Sequence, residues 1–134
     1  MHNSKADCAL VNSGNFRIDK IIPAGPVRFN VLSHIILDYI LVKELSGKIL
    51  LEALENCVSM YPNLSGRFSA ISGVEFLWDC RKKPYERVLM ETVRVGGNPI
   101  DLNKVYLVAM HKFVSEGGDG YQVMKECKIH HPSY

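Results

Sequence analysis

The sequence lacks the short motifs that mark many self-contained catalytic sites. It has no Gly-x-Ser-x-Gly nucleophile motif and no glycine-rich phosphate-binding loop ending in Gly-Lys-Ser or Gly-Lys-Thr. Its five histidines never stand four residues apart or in an Asp-x-His arrangement, the spacings that commonly build metal sites. The pair His130-His131 is near the end of the chain, where we expect a frayed terminus. We therefore expect no catalytic residue and no metal site in this chain.

Charge of one sign and long apolar runs are scarce as well. Sixteen Lys and Arg against fourteen Asp and Glu give a net charge of +2, and the basic residues are scattered, so no nucleic acid partner is implied. The densest basic run, 81–83, precedes Pro84 and indicates a solvated turn. No apolar run approaches the length of a membrane helix, and the first seven residues lack the apolar stretch of a signal peptide. We expect a soluble domain without membrane contact.

Cysteines are few and widely spaced. They stand at 8, 57, 80 and 127, too far apart for a Cys-x-x-Cys metal or redox motif. A chain of 134 residues does not need disulfides to fold, so the thiols are free or form at most two bridges. With 47% apolar and 22% charged residues and no repeat or linker, residues 1–134 are predicted to form one domain.

Apolar periodicity predicts an irregular alternation of strands and helices. The strongest helix signal follows Ser46, a residue suited to capping a helix, and ends before Pro62. Its apolar face is Leu50, Leu54, Cys57, Val58 and Tyr61. A shorter helix is predicted within 27–37, and strands at 8–11, 40–45, 70–72, 74–78, 87–95 and 105–110. The predicted fold class is α+β, a mixed β-sheet with interleaved helices.

Two polar loops are the most unusual local features. Gly-Gly-Asp-Gly at 117–120 allows left-handed or closely approaching backbone around one carboxylate, and Phe113 stands just before it. The loop that follows the first strand runs from Asn12 to Arg17 and is rich in Asn, Ser and Gly. On spacing alone, plain turns are the favoured interpretation of both loops, with Phe113 in the core and Arg17 in solvent.

A series of short segments, taken in order, resembles the carboxyl-terminal domain of the 5'-nucleotidase and UDP-sugar hydrolase family. The resemblance covers roughly residues 6–126. The segments are 9–14 (Ala-Leu-Val-Asn-Ser-Gly) continuing to Arg17, 22–27 (Ile-Pro-Ala-Gly-Pro-Val), 45–47 (Leu-Ser-Gly), 50–56 (Leu-Leu-Glu-Ala-Leu-Glu-Asn), 65–68 (Ser-Gly-Arg-Phe), 71–74 (Ile-Ser-Gly-Val), 84–88, 106–109 (Tyr-Leu-Val-Ala) and 113–121.

The resemblance implies a nucleoside-binding role. Family members hold the base between two aromatic rings and bind the ribose hydroxyls through a carboxylate, while an arginine and an asparagine of a glycine-rich loop make polar contacts. Phe113 matches the second ring, and Asp119 beside Gly118 matches the carboxylate. The position of the first ring falls on Leu37, with Tyr39 as a substitute. The first loop contributes Asn12, Gly14 and Arg17.

The resemblance also implies what this chain does not contain. Family members carry an amino-terminal calcineurin-like metallophosphoesterase domain, in which two divalent metal ions activate water and hold the phosphate. The family's carboxyl-terminal domain also begins earlier than this chain does. We therefore expect this chain to bind a nucleoside or nucleotide and to have no turnover by itself. A non-catalytic nucleoside-binding or scaffold module derived from the family is the alternative, motivated by Leu37 and by the bulky Phe16 in the first loop.

Overall fold

The computed structural model describes residues 5–35 and 38–131, in which strands and helices alternate irregularly. In chain order the elements are β1 (Cys8–Asn12), α1 (Phe29–Ile35), β2 (Ile40–Ser46), α2 (Gly47–Val58), β3 (Ser69–Ser72), β4 (Val74–Glu75), β5 (Arg94–Val95), β6 (Asn98–Pro99), β7 (Val105–His111), α3 (Lys112–Ser115) and β8 (Lys128–Ile129). This composition confirms the predicted α+β class.

The central sheet has five strands in the order β3-β1-β7-β2-β8. Strands β1 and β7 are parallel, with Ala9 opposite Ala109, whereas every other pair in this sheet is antiparallel. The sheet is therefore mixed, as predicted. Because parallel neighbours run in the same direction, the carboxyl ends of β1 and β7 meet at one edge of the sheet.

Helix α2 covers one face of this sheet and supplies much of the core. Leu50, Ala53 and Leu54 are fully buried, because they repeat at helical spacing on the face turned toward the sheet. The helix begins as predicted, since the Ser46 hydroxyl accepts a hydrogen bond from the backbone N–H of Ile49 at 3.3 Å.

The end of α2 was predicted too late. The helix ends at Val58, and Tyr61 lies beyond it as a half-exposed side chain. The carbonyl of Asn56 accepts both the backbone N–H and the hydroxyl of Ser59, at 3.2 and 2.8 Å. A serine hydroxyl that bonds backward to the last turn competes with further helical hydrogen bonding, so the chain turns here.

The prediction of a continuous strand over 87–95 is also wrong, because only Arg94–Val95 of this range form a strand. The strand predicted over 74–78 is shorter than expected and ends at Glu75. Val88 makes a single bridge to Trp78, and a 3₁₀ turn separates that bridge from β5. The side chain of Glu55 accepts from the backbone N–H groups of Arg87 and Val88, at 3.0 and 2.8 Å. A carboxylate from α2 thus takes the donors that a neighbouring strand would need.

A small three-stranded sheet, β4-β5-β6, packs beside the main one. Gly96 and Gly97 join β5 to β6 with φ values of 58° and 80°, which suit a tight two-residue hairpin turn. The Gly-Gly-Asn-Pro segment at 96–99 predicts a turn from sequence alone, and the structure confirms it.

The four cysteines are free thiols. Burial raises the pKa of the Cys8 thiol to about 12, so this thiol remains protonated and unreactive at neutral pH. Within residues 5–35 and 38–131, no helix combines the length and the apolar character needed to cross a membrane.

Candidate functional site

The candidate site lies where the two parallel strands end. Strand β1 ends at Asn12 and continues into a 3₁₀ turn over Ser13–Asn15, whereas β7 ends at His111 and continues into α3. Ligand sites of sheets with parallel strands are commonly found beside the carboxyl ends of those strands. The topology therefore brings the two polar loops singled out in the sequence to the same edge of the sheet.

The second loop carries Asp119 in an unusual backbone conformation. Gly117, Asp119 and Gly120 all have positive φ, at 93°, 50° and 79°. Aspartate is one of the few residues with a side chain that enters this region at modest cost. The carbonyl of Asp119 accepts a hydrogen bond from Asn56 Nδ2 at 3.1 Å, which holds the peptide in place. Sequence and tertiary contact together fix the direction of the carboxylate.

The two loops are joined by a hydrogen bond between side chains. Asn12 Nδ2 donates to Asp119 Oδ2 at 2.6 Å, across 107 residues of sequence. Because a carboxylate only accepts, the amide must present its nitrogen here. Asn12 itself is buried, so its main effect is to orient the carboxylate. No donor from the described residues bonds to Asp119 Oδ1, which leaves that oxygen able to accept from a ligand.

A cavity of about 340 Å³ opens beside this pair. Its lining includes five residues that the sequence singled out and two that it did not. These are Asn12, Gly14, Arg17, Phe113 and Asp119 in the first group, and Asn15 and Asp38 in the second. The predicted polar residues and the predicted ring thus share one concave surface.

Phe113 is held at the cavity by contacts on two sides. Its backbone N–H donates to Asp38 Oδ2 at 2.7 Å, and its side chain is 48% exposed, so one part of the ring is available to a ligand. A Cβ placed on Gly118 would lie only 2.5 Å from ring carbons Cε1 and Cζ. The Phe113 ring therefore packs directly against the backbone of Gly118. The sequence predicted that Gly118 contacts the substrate, whereas the structure gives it a steric role in placing the ring.

This close approach gives a direct test of the ring's position. Gly118→Ala should push the Phe113 ring out of its place and weaken about ten-fold the binding of adenosine, a ligand of the class that the resemblance implies. Thermal stability should change little, because the ring is half exposed and no positive φ makes alanine unfavourable at residue 118. Calorimetric titration would measure the effect. In a Phe113→Ala background the same substitution should have no further effect on affinity, and an undiminished second loss would contradict the steric role.

Tyr39, the predicted substitute for the first ring, does not line this cavity. Its side chain is 83% exposed, although its backbone N–H donates to Asp38 Oδ1 at 2.8 Å. Leu37, the position assigned to the first ring, lies outside the described residues. Phe113 is the one aromatic ring among the described residues that line the cavity.

Among the described residues that line the cavity, the charged groups are two carboxylates and one guanidinium. Asp38 and Asp119 accept hydrogen bonds, while the exposed Arg17 can donate to an anionic or neutral oxygen. His111, the last residue of β7, is fully buried and lies near Asp38. Burial lowers the pKa of its imidazole more than the nearby Asp38 raises it, so His111 is neutral near pH 7. The cavity can accept from hydroxyl groups, stack on a flat ring and donate to an anion.

Two residues that build the site were missed by sequence reasoning. Asp38 bonds to the backbone of Phe113 from 75 residues away, and Asn56 bonds to Asp119 from 63 residues away. In the sequence, Asp38 is a lone acidic residue just before a predicted strand, which is only a weak indication of a site residue. Asn56 gave none, because a polar residue late in a helix is normally solvated. Among the described residues, no group of three or more potential metal ligands comes together.

Comparison with known proteins shows the family to which this chain is similar. The family model described as "5'-nucleotidase, C-terminal domain" matches residues 1–126. The 5'-nucleotidase of Bos taurus is 34% identical over 96 residues, which is 67% of this chain and 17% of that protein. The trifunctional nucleotide phosphoesterase protein YfkN of Bacillus subtilis is 36% identical over 127 residues, which is 90% of this chain and 8% of that protein.

Solved structures resemble the fold over almost the whole chain. The crystal structure of a 5'-nucleotidase precursor from Thermus thermophilus has a TM-score of 0.81 and 34% identity, covering 93% of this chain and 25% of that one. The chain thus spans about a sixth of the length of the mammalian relatives it matches and a quarter of this solved structure.

Proposed function

The chain belongs to the family of 5'-nucleotidase carboxyl-terminal domains, and on that premise we propose that it is the nucleoside-recognition domain of a phosphohydrolase. The parent protein would hydrolyse nucleoside 5'-monophosphates or related nucleotides. The chain would select the substrate, and the chemistry would take place in another domain of the parent.

The roles within the cavity follow from the chemistry of each group. Phe113 would stack on the base, because any purine offers a flat π-face. Asp119 would accept hydrogen bonds from the ribose hydroxyls, and Asn12 would hold its carboxylate at the required angle. Arg17 would donate to the sugar or the phosphate, while Gly14 keeps the first loop close to Asp119. A Cβ on Gly14 would already lie 3.2 Å from Asp119 Oδ2.

One observation carries the proposal: a ring, a carboxylate and a guanidinium converge on one open cavity. Phe113 and Asp119 follow β7, whereas Arg17 follows β1. Plain turns, the alternative that spacing allowed, would not require the three to share a surface. Nucleoside binding accounts for all three together, because base, ribose and phosphate need a flat partner, an acceptor and a cation.

The metals of this family belong to its amino-terminal domain. The described residues of this chain offer no set of ligands that fits a metal ion, so no step of the reaction is assigned to them. We propose that a metallophosphoesterase domain with two divalent metal ions precedes this domain in the parent. It would activate water and bind the phosphate while Phe113 and Asp119 hold the nucleoside.

The ring gives the test of this function. Phe113→Ala should weaken adenosine binding by about 1 to 3 kcal/mol in a calorimetric titration, because base stacking on the ring would be lost. Phe68→Ala is the matched control. Phe68 is also 48% exposed but lines a different groove, so its loss should leave the affinity within about two-fold. Equal affinity of the wild type and Phe113→Ala would contradict the proposal.

A non-catalytic nucleoside-binding module is the second candidate. It is favoured by the cavity's single described ring, where the resemblance implies two, and by Phe16, a bulky residue in a loop that is glycine-rich in the family. The parent's coding sequence separates the two candidates. Upstream Asp-x-His, Gly-Asp and Gly-Asn-His metal motifs, with phosphate release from AMP by the parent, would support the enzyme. Their absence would support the module.

A further inference from the structure

Lys43 occupies a position in the middle of β2 that the strand pattern assigns to an apolar residue. Leu41 and Leu45, two residues to either side, pack into the core. Lys43 pairs with the fully buried Val108 and is itself only 5% exposed. A buried ammonium group is costly unless acceptors replace the water that it has lost. The residue therefore calls for a structural explanation.

Three backbone carbonyls surround the ammonium group. Lys43 Nζ donates to Ser115 O at 2.9 Å, to Met124 O at 2.7 Å and to Lys125 O at 3.3 Å. An ammonium has three donors, so these three acceptors use its full capacity. No carboxylate from the described residues forms an ion pair with it. The bonds therefore act on the backbone of one segment and on nothing else.

These carbonyls lie at the two ends of the Asp119 loop. Ser115 is the last residue of α3, and Met124 is the last residue of the 3₁₀ turn over Gln122–Met124, in which the loop ends. Carbonyl oxygens at the ends of helical turns keep free acceptor capacity and carry partial negative charge, which suits a cation; Met124 O accepts one further bond, from the backbone N–H of Cys127. Between Ser115 and Met124 runs 116–123, which contains the three residues with positive φ. Lys43 therefore ties the two ends of this loop together from inside the core.

We propose that Lys43 is a positioning residue of the nucleoside site. It holds the base of the 116–123 loop, while Asn12 and Asn56 hold Asp119 at its tip. The proposal rests on the proposed role of Asp119 in nucleoside binding. Without the ammonium, Ser115 O would lose its donor and Met124 O would keep only the backbone N–H of Cys127, at 3.1 Å, so the loop would reach water by opening. A ligand would then have to order the loop as it binds.

Lys43→Met tests this role, because methionine nearly matches the aliphatic length of lysine and has no donors. We expect adenosine affinity to fall about ten-fold in a calorimetric titration. Without ligand, we expect amide hydrogen exchange in 116–123 to become about ten-fold faster, while exchange in α2 stays nearly unchanged. If Lys43→Met does not fold, Lys43→Gln gives the same two readouts, since its side chain is one atom too short to reach both ends of the loop.

Arg87→Met is the matched control. Arg87 is 7% exposed, and its Nη1 donates to the carbonyls of Val58, Ser59 and Tyr61 at 2.6, 3.1 and 2.9 Å. Its loss removes a comparable buried cation from a different turn. We expect this variant to be less stable but to bind adenosine within about two-fold of the wild type, with exchange in 116–123 unchanged.

The outcomes separate this proposal from the proposed function. If the wild type binds adenosine and the Lys43 variant binds equally well, the positioning role is overturned and the function stands. An equal loss of affinity in the Lys43 and Arg87 variants also overturns the role, because the effect would then be general destabilisation. If the wild type does not bind adenosine, the proposed function fails. If amide exchange in 116–123 is also the same in Lys43→Met as in the wild type, Lys43 does not hold the loop, and the positioning role is overturned as well.

Discussion

Replacing Asp119 with asparagine should weaken adenosine binding about 100-fold. The substitution turns a charged acceptor into a neutral amide, and hydrogen bonds to charged groups contribute about 1.5 to 3 kcal/mol each. A loss of about 2.8 kcal/mol corresponds to that factor. Asparagine is the suitable replacement because it tolerates the positive φ of 50° at this position, whereas alanine would add backbone strain. The effect on binding can then be assigned to the carboxylate.

Modified ligands show whether that carboxylate acts on the ribose. Wild-type protein should bind 2'-deoxyadenosine and 3'-deoxyadenosine more weakly than adenosine in calorimetric titrations. Asp119→Asn should discriminate much less among the three, because the partner of the missing hydroxyl has already been altered. Asp79→Asn is the control, since Asp79 lies outside the cavity and is bonded to Arg81 in a turn. Undiminished discrimination by Asp119→Asn would contradict the ribose role.

Local sequence signals predicted the elements that depend on neighbouring residues. Ser46 caps α2 because its hydroxyl reaches an N–H only three residues away. Gly96 and Gly97 close a hairpin whose geometry needs two residues of positive φ in succession. The Gly-Gly-Asp-Gly loop likewise marks a place where a helix cannot continue, and the structure has positive φ at three of its four residues. In each case, the residues that determine the local backbone conformation lie within a few positions of one another in the sequence.

Predictions failed where distant side chains redirect the backbone. The apolar and β-branched residues of 87–95 suit a strand, yet Glu55 from α2 takes the backbone donors of Arg87 and Val88. Lys43 shows the same limit. It stands between Leu41 and Leu45 on the face of β2 that packs into the core, and its acceptors come from residues 72 to 82 positions further along the chain. Such contacts depend on the completed fold and leave no local pattern.

The candidate site was predicted through the resemblance more than through spacing. Spacing alone left the loops at Asn12 and Asp119 as turns, and the parallel pairing of β1 and β7 is what brings them together. Their convergence with Phe113 agrees with the roles that the resemblance implied, and these roles stay predictions until binding is measured. The first ring is the weakest part of the prediction, since Leu37 lies outside the described residues and Tyr39 is not among the residues that line the cavity.

Gly47→Ala should have the largest effect on stability, because backbone rather than side chain lies against this residue. Gly47 is the first residue of α2 and is buried. A Cβ here would overlap the carbonyl oxygen of Asp101 and lie 2.9 Å from Cα of Leu102. The backbone N–H of Gly47 also donates to Lys104 O at 2.9 Å, so the 101–104 turn cannot move away without losing the contact that supports the start of the helix.

We expect this substitution to lower the free energy of unfolding by about 3 kcal/mol, the upper end of the usual cost of overpacking. With a urea dependence of about 2 kcal/mol per molar, the unfolding midpoint would fall by roughly 1.5 M.

Lys48→Ala is the control, since the next residue of the same helix is exposed and alanine is a good helix former. A midpoint for Gly47→Ala within about 0.3 M of the Lys48→Ala value would mean that the 101–104 turn yields to the methyl group. Because α2 also carries Asn56, which holds the peptide of Asp119, a shift of this helix would be transmitted to the candidate cavity. If the proposed function is right, the folded fraction of Gly47→Ala should therefore bind adenosine more weakly as well.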